Sequence, residues 1–415
     1  MVFKNKIFKQ KKNIYLNNNK TTLYNTLFVI DEILNDDFGR DIVDFANYCV
    51  LHNIGVVIFT KFISIKLLLN EKIILFENNS CNSSNLLFSK NVLKLCNEYK
   101  IDIIQIFNPK FCKKIILKKS KIKVPVVAQV YNVFDIRKRW NFFYLKYVVK
   151  SDMIITLSDY VADFLLNNFD FDVNKLKVFN IGVDNELFNA EKIASGRVKD
   201  TMIYETGIDV SKKKIFYCNC DFNDTEICYK IFQAIKLINN DNYVFIFSGN
   251  FENTKKQRDY LLKKIDELKI NNKVKIIKPI NDRPAIYISS YVIINIQKYN
   301  NTFTKSFCEA GFMKKPIIEI CNGNLYSNVV DEKTGFLVKK NSIFDIKNAI
   351  SKMIDLTPKE YKSMCENSYK YTIKYFKMDE KYMQISNAIF ECLQQSRNKH
   401  QYESKNDKNK KKFLV

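Results

Sequence analysis

The chain has 415 residues, 47% of them hydrophobic, which exceeds what one ordinary core needs and suffices for two. Its formal charge of +23 points to an anionic partner, yet the excess of Lys, Asn, Ile, Phe and Tyr with only 9 Gly and 6 Pro is also what AT-rich coding produces, so net charge alone does not argue for nucleic acid and none is expected as a partner. The 11 scattered Cys, the lack of an apolar signal core behind the N-terminal lysines and the lack of any run of about 18 apolar residues point to a reducing cytoplasm rather than a secreted or membrane-spanning chain.

Short β-rich runs alternate with amphipathic helical runs along the chain, the pattern of βα units and parallel sheets. In the first half, strands are expected at Asn25–Ile30, Gly55–Thr60, Asp102–Phe107, Val124–Val130, Met153–Leu157 and Lys177–Ile181. Helices are expected between them at Arg40–Leu51, Ser89–Tyr99, Arg139–Lys150 and Tyr160–Asn168. The polar, weakly periodic stretch Asn185–Val210 reads as a linker. A second series follows, with strands at Lys214–Cys218, Tyr243–Ser248, Lys273–Ile277, Val292–Ile296, Pro316–Ile320 and Gly335–Val338. Its helices fall near Glu226–Ile238, Lys255–Leu268, Lys305–Lys314 and Phe344–Asp355. Two long amphipathic helices, Lys359–Tyr375 and Asp379–Gln395, precede a charged tail that reads as disordered. Two doubly wound domains in tandem leave a cleft, and ligands in such folds sit at the carboxyl ends of the strands.

Few motifs carry chemistry by themselves. There is no Walker A loop and no Gly-x-Gly-x-x-Gly, which argues against a P-loop ATPase or a dinucleotide-dependent dehydrogenase. Cys218 and Cys220 have no second pair at zinc-ligand spacing, and His52 and His400 are the only histidines, so no metal site is expected. Gly39, Gly182, Gly249, Gly323 and Gly335 all lie just outside expected strands, where glycine serves either ordinary turns or the close approach of a ligand to the backbone.

Three segments resemble the large retaining glycosyltransferase family of the GT-B fold, the group 1 or family 4 type. The first is Thr156-Leu-Ser-Asp-Tyr160 followed by Lys177-Val-Phe-Asn-Ile-Gly-Val-Asp-Asn-Glu-Leu-Phe188. The second is Ser306-Phe-Cys-Glu-Ala-Gly-Phe-Met-Lys-Lys-Pro-Ile-Ile318, and the third is Val330-Asp-Glu-Lys-Thr-Gly-Phe-Leu-Val338. The resemblance covers roughly residues 25–395. It implies an α/β chain of two Rossmann-like domains facing each other across a cleft, with C-terminal helices crossing back onto the first domain. The division it implies is a basic tail (1–20), an acceptor-side domain (21–190), a donor-side domain (191–375), a crossing helix (376–395) and a basic disordered tail (396–415).

By the same resemblance, the chain moves a sugar from a nucleotide-sugar donor to a glycan or lipid-linked acceptor with retention of anomeric configuration. It implies no cofactor and no required metal, so positive charge and helix N-termini would stabilise the departing diphosphate. Glu309 stands where the family binds the ribose hydroxyls, although Ser306 and Glu309 also read as a helix capping box. Thr304, Lys305 and Ser306 open the helix whose N-terminus would cradle the diphosphate, and a Lys there is either placed for an anion or merely solvated. Gly39 and Arg40 would approach the donor phosphates from the first domain, and Gly249 from the second, with surface-turn chemistry as the alternative.

Several positions depart from the family pattern. Asn301 replaces the first of two glutamates spaced eight apart and would be its catalytic counterpart beside Glu309. The stretch Asn219–Glu226 is acidic where a cationic clamp is usual, with Glu226 in place of Lys. Tyr131 and Gln105 stand where many members have His. The alternative is therefore a GT-B protein that has lost catalysis and serves as a sugar or nucleotide binder or as a partner subunit. On the acceptor side, Tyr131, Arg137, Arg139 and Trp140, followed by Phe142, Phe143 and Tyr144, mix cations with aromatics. That mixture suits peripheral attachment to an anionic membrane surface at its inner face, or equally an amphipathic helix with core aromatics and solvated cations.

Overall fold

The computed structural model describes residues 22–34, 37–78, 85–131, 139–180, 182–209, 213–220, 222, 224–249, 254–278, 280, 282–297, 305–321, 329–338 and 342–412. The chain divides into two compact units, residues 1–179 with 382–415 and residues 180–381.

The first unit is built on a seven-stranded sheet. Its strands are β1 (Asn25–Val29), β3 (Gly55–Thr60), β5 (Ile74–Glu77), β6 (Ile103–Ile106), β7 (Val126–Val130), β8 (Met153–Thr156) and β9 (Leu176–Val178). They pair in parallel in the order β5-β3-β1-β6-β7-β8-β9, while β2 (Glu32–Ile33) and β4 (Phe62–Ile63) form a separate two-stranded ribbon. β1, β3 and β7 are buried along their whole length, so they read as unbroken apolar runs rather than as alternation, as parallel strands covered on both faces do. Helices α1 (Asp37–Leu51), α2 (Asn85–Glu98), α3 (Pro109–Ile116), α4 (Arg139–Val148) and α5 (Asp159–Asn168) belong to this unit.

The second unit holds a six-stranded parallel sheet of β10 (Lys214–Asn219), β11 (Tyr243–Ser248), β12 (Val274–Ile277), β13 (Ser290–Gln297), β14 (Ile317–Cys321) and β15 (Gly335–Val338). Its order, β12-β11-β10-β13-β14-β15, reverses direction between β10 and β13. That reversal is the switch point at which doubly wound sheets bind ligands, outside the carboxyl ends of the strands. Helices α6 (Ser195–Thr206), α7 (Thr225–Lys236), α8 (Lys255–Leu268), α9 (Arg283–Ser289), α10 (Lys305–Phe312), α11 (Ile343–Asp355) and α12 (Pro358–Tyr375) complete it.

Two expectations are corrected. The supposed linker contains α6, which ends on Gly207 in the left-handed region (φ 66°) and buries Met202 and Thr206. Ile203 and Tyr204 on it are exposed, so its apolar residues do not mark one face and the helical period is hidden. Residues 396–412 of the supposed disordered tail are the distal part of α13 (Met378–Lys412), a single helix that runs through the expected end at Gln395. No Gly or Pro interrupts residues 378–412, so nothing in the backbone stops the helix there.

From Tyr382 onward α13 belongs to the first unit. Tyr382 packs on Phe45 at 5.2 Å between ring centroids and Phe390 stacks on Tyr24 at 6.0 Å, while Arg397 donates to Asp102 at 2.6 Å. This return of the last helix onto the first unit matches the fold that the family resemblance implies.

Candidate functional site

The carboxyl edge of the second sheet gathers several buried polar groups. α9 and α10 follow β12 and β13, so both helices begin at this edge. α9 starts with Asp282, whose carboxylate accepts from the Ala285 N–H at 3.2 Å, and Pro284 fills its first turn. Arg197 of α6 grips the same carboxylate with two bonds of 2.6 and 2.7 Å. The start of α9 is thus anchored from two sides, and this fixes the backbone of Arg283.

Arg283 donates from Nη2 to Oε2 of Glu309, one helix away on α10. Their side chains are 13% and 3% exposed, so the pair is largely withdrawn from water, Glu309 more fully than Arg283. Such a pair resists loss of one partner strongly, because the survivor is left as a charge without water. Ser306 lies inside α10 rather than before it, so the expected capping box with Ser306 as its cap is not what this helix start shows. The Glu309 carboxylate is turned to α9. The whole of α10, including Lys305 and Ser306, is buried.

Two tyrosines border the pair. Burial, and then the Glu309 carboxylate, push the Tyr287 phenol well above its usual range, while Arg283 and Ser306 oppose this more weakly. Tyr217 on β10 is pushed up to about 12 by burial, with Ser248 and Arg283 pulling against the rise. Both phenols stay neutral O–H groups at physiological pH and add no negative charge beside Glu309. Tyr287 also packs edge-on against Phe188 at 5.9 Å and Tyr217 at 5.8 Å, which holds α9 in place.

A second buried carboxylate lies on β14. Glu319 is fully buried and stands in register with Asn295 of β13. It accepts from Asn295 Nδ2 at 3.2 Å and from the Val329 N–H at 3.4 Å. Burial, and next this carboxylate, push the Cys321 thiol up to about 12, so that thiol is inert.

The first unit has its own buried carboxylate at a carboxyl edge. Asp41 on α1 accepts from the Tyr131 hydroxyl at 2.6 Å and from the Tyr382 hydroxyl at 2.7 Å. Tyr131 follows β7 and Tyr382 lies on α13, so one side chain joins the sheet edge, α1 and the last helix. Burial, and then Asp41, push both phenols well above their usual range.

The profile described as "Glycosyl transferases group 1" matches residues 205–371, and the one described as "Glycosyltransferase Family 4" matches residues 42–187, together well over half of the chain. The chain belongs to this glycosyltransferase family. A glycosyltransferase from Rickettsia africae is similar in structure (TM-score 0.78) at 18% identity, over 89% of this chain and 98% of that one. Anabaena HepE in complex with UDP and glucose is similar at a TM-score of 0.75 and 15% identity, over 89% of this chain and 100% of that one. WaaG, a glycosyltransferase involved in lipopolysaccharide biosynthesis, is similar at a TM-score of 0.67 and 12% identity, over 87% and 98% of the two chains. These likenesses show the GT-B fold. No curated protein matches the chain in sequence.

The structure brings together only some of the residues that the family pattern singles out. Glu309, Lys305 and Ser306 share α10. Asn301, Thr304 and Arg137 lie outside the described residues, and Arg139 and Trp140 are described only as the first turn of α4. Gly39 is not in a loop but in the first turn of α1, where an added Cβ would lie 2.0 Å from the Leu34 carbonyl oxygen. Arg40 follows it on the same turn, half-buried. Gly249 directly follows β11, and an added Cβ there would lie 2.5 Å from the Cys220 carbonyl oxygen and 2.7 Å from the Phe222 ring. Packing alone thus demands glycine at both positions.

Two departures from the pattern take on a physical meaning. Glu226 is 78% exposed on α7 and bonds Lys230 one turn on at 2.7 Å, which lowers its pKa. Gln105 is fully buried, donating to Thr26 Oγ1 at 3.0 Å and accepting from Gln129 at 2.6 Å, so it serves a ladder of amides across β1, β6 and β7. Among the described residues, no group of three His, Cys, Asp or Glu is placed to hold a metal, and no helix is long and apolar enough to cross a membrane.

Arg283, Tyr287, Asn295 and Glu319 were not anticipated as site residues. The Asp282-Arg283-Pro284 run carries a legible helix-start signal, Asp before Pro, and only that could have drawn attention to Arg283.

Proposed function

We propose that this glycosyltransferase takes its sugar from a nucleotide sugar and that Glu309 binds the ribose of the donor. The observation that carries the reading is the Glu309 carboxylate itself: buried, held by Arg283, and located at the carboxyl edge of a sheet whose strand order reverses beside it. A carboxylate has about four lone-pair directions, so a guanidinium on Oε2 is compatible with hydroxyl donors on the same group. A complex of the similar Anabaena protein with UDP and glucose supports a nucleotide sugar as the donor class.

In this reading the diphosphate leaves against the N-terminus of α10 and the Lys305 ammonium, with no metal required. Asn301 lends an amide to the sugar hydroxyls, and the anomeric configuration is retained. The outward direction of Glu226 supports activity, because that carboxylate bonds Lys230 and does not repel an anion at the site. The acceptor is a glycan or a lipid-linked glycan met by the first unit at the inner face of an anionic membrane. Support for that comes from α4, where Phe142 turns onto Phe169 at 4.8 Å but Phe143 is exposed with the Lys113 ammonium 4.5 Å above its ring.

The test is a screen of UDP-, GDP- and ADP-sugars for turnover by the wild type and by Glu309→Gln. Wild-type turnover of one donor class is expected, with a loss of at least about 100-fold in Glu309→Gln, the scale on which a buried charged hydrogen-bond partner acts. A variant as fast as the wild type would remove Glu309 from the mechanism.

A further inference from the structure

We propose that Arg283 is the positioning residue of the donor site: its guanidinium holds the Glu309 carboxylate in the one orientation that accepts both ribose hydroxyls, and so makes the site selective for ribonucleotide donors. The proposal rests on the reading of Glu309 as the ribose-binding group.

A glutamate has three side-chain torsions, and a diol can be bound by two bonds only if the carboxylate plane is set beforehand. Packing alone does not set a polar headgroup. A guanidinium does, because its fork is rigid and planar and its bond to a carboxylate is charge-assisted. The fork must itself be held still, and here it is. Arg283 is the first residue of α9, between the Asp282 cap and Pro284. The cap is locked by the two bonds from Arg197, and α9 is wedged by Tyr287 between Phe188 and Tyr217. Arg197, Asp282, Arg283 and Glu309 thus form a chain of support in which each carboxylate is gripped by a cation from another helix.

Charge makes the same demand. A carboxylate 2% exposed takes up a proton unless a cation compensates its lost hydration, and a protonated acid has fewer acceptor sites for a diol. The neighbouring Tyr217 and Tyr287 phenols are neutral and cannot supply that compensation. Lys305 stands four residues before Glu309 on α10, and its point charge carries no preferred plane. Arg283 supplies the charge and, through its Nη2 bond to Oε2, a fixed direction for that carboxylate oxygen.

The experiment measures the affinity of the full chain for UDP and GDP and for their 2′,3′-dideoxy counterparts by calorimetry. The wild type is compared with Arg283→Gln, Arg283→Lys, Glu309→Gln and the neutral pair Arg283→Gln with Glu309→Gln. The wild type should favour the ribo form of one nucleotide by about tenfold or more, as two hydroxyls bonded to a carboxylate require. Arg283→Gln should abolish that preference while leaving the dideoxy affinity within about twofold, and Arg283→Lys should restore only part of it. The neutral pair carries no stranded charge and keeps the test open if Arg283→Gln fails to fold. It should match Glu309→Gln, because a residue that acts through Glu309 adds nothing once Glu309 is gone. Equal weakening of ribo and dideoxy forms by Arg283→Gln, or a further loss in the neutral pair beyond Glu309→Gln, overturns the proposal, since Arg283 would then touch the diphosphate directly. A ribose preference that survives Arg283→Gln overturns it as well and leaves the role of Glu309 standing. A wild type with no ribose preference overturns both.

Discussion

Glu309 and Asp41 are both carboxylates removed from water, 2% and 3% exposed, and each accepts hydrogen bonds from a different kind of group. Glu309 is met by the guanidinium of Arg283, from a neighbouring helix of the second unit. Asp41 is met by two phenol hydroxyls, one at the end of β7 and one on α13. An ion pair fixes charge and plane together and is intolerant of losing one member. A carboxylate between two hydroxyls is divisible, since each bond can be removed while the other remains. The first arrangement suits a group that has to be presented to a ligand, and the second suits a joint between elements of a fold.

The largest expected effect is on the ion pair. Arg283→Met should destabilise the second unit by about 3–5 kcal/mol, read from denaturant melts, because it leaves a buried carboxylate without its cation. Arg283→Met combined with Glu309→Leu should recover most of that loss, since a well-packed apolar pair can replace a buried ion pair. Additive losses would show that packing, rather than charge, is what Arg283 supplies.

Lys315 sharpens the same point as a half-buried cation just after α10, its pKa pushed down to about 8 by desolvation. Because its folded value lies below the 10.5 usual for lysine, the unfolded chain binds more protons between the two. The penalty is complete below about pH 8 and is relieved as pH rises toward 10.5, so this residue makes the protein more stable with rising pH across that window. Lys315→Met should raise stability at neutral pH by on the order of 2 kcal/mol and flatten that rise.

The smallest effect is on the joint. Tyr382→Phe should cost about 1–2 kcal/mol, one hydrogen bond to a charged acceptor, and Tyr131→Phe a similar amount. The two changes should be told apart by hydrogen exchange, with Tyr382→Phe speeding exchange in α13 and Tyr131→Phe leaving that helix protected. Equal effects on α13 would mean that Asp41 does not transmit the two contacts separately.

The sheets were legible because buried parallel strands are written as apolar runs: Tyr243–Ser248 and Gly55–Thr60 have the bounds expected from sequence. Two of the shortest helices were not, although the eight-residue α10 is expected from sequence within Lys305–Lys314. α9 has seven residues and α3 eight, too few for a period to show, although both carry Pro in the first turn. α13 is legible only to Gln395, because residues 396–412 are polar and strongly charged in sequence, with no apolar period. Glu309 was legible through the family pattern of its segment, but its partner was not. Arg283 lies 26 residues earlier, and which cation meets which carboxylate is decided by how α9 and α10 pack. The direction of Glu226 was within reach of the sequence, since Lys230 stands at the i+4 position of the same helix.

The most direct test is hydrogen exchange of the wild type with and without a saturating nucleoside diphosphate, UDP and GDP in turn. Slowed exchange should concentrate in residues 283–289 and 305–312, the two helices that hold Arg283 and Glu309. Binding accompanied by protection elsewhere, with those two helices unchanged, would contradict the assignment of this sheet edge as the donor site.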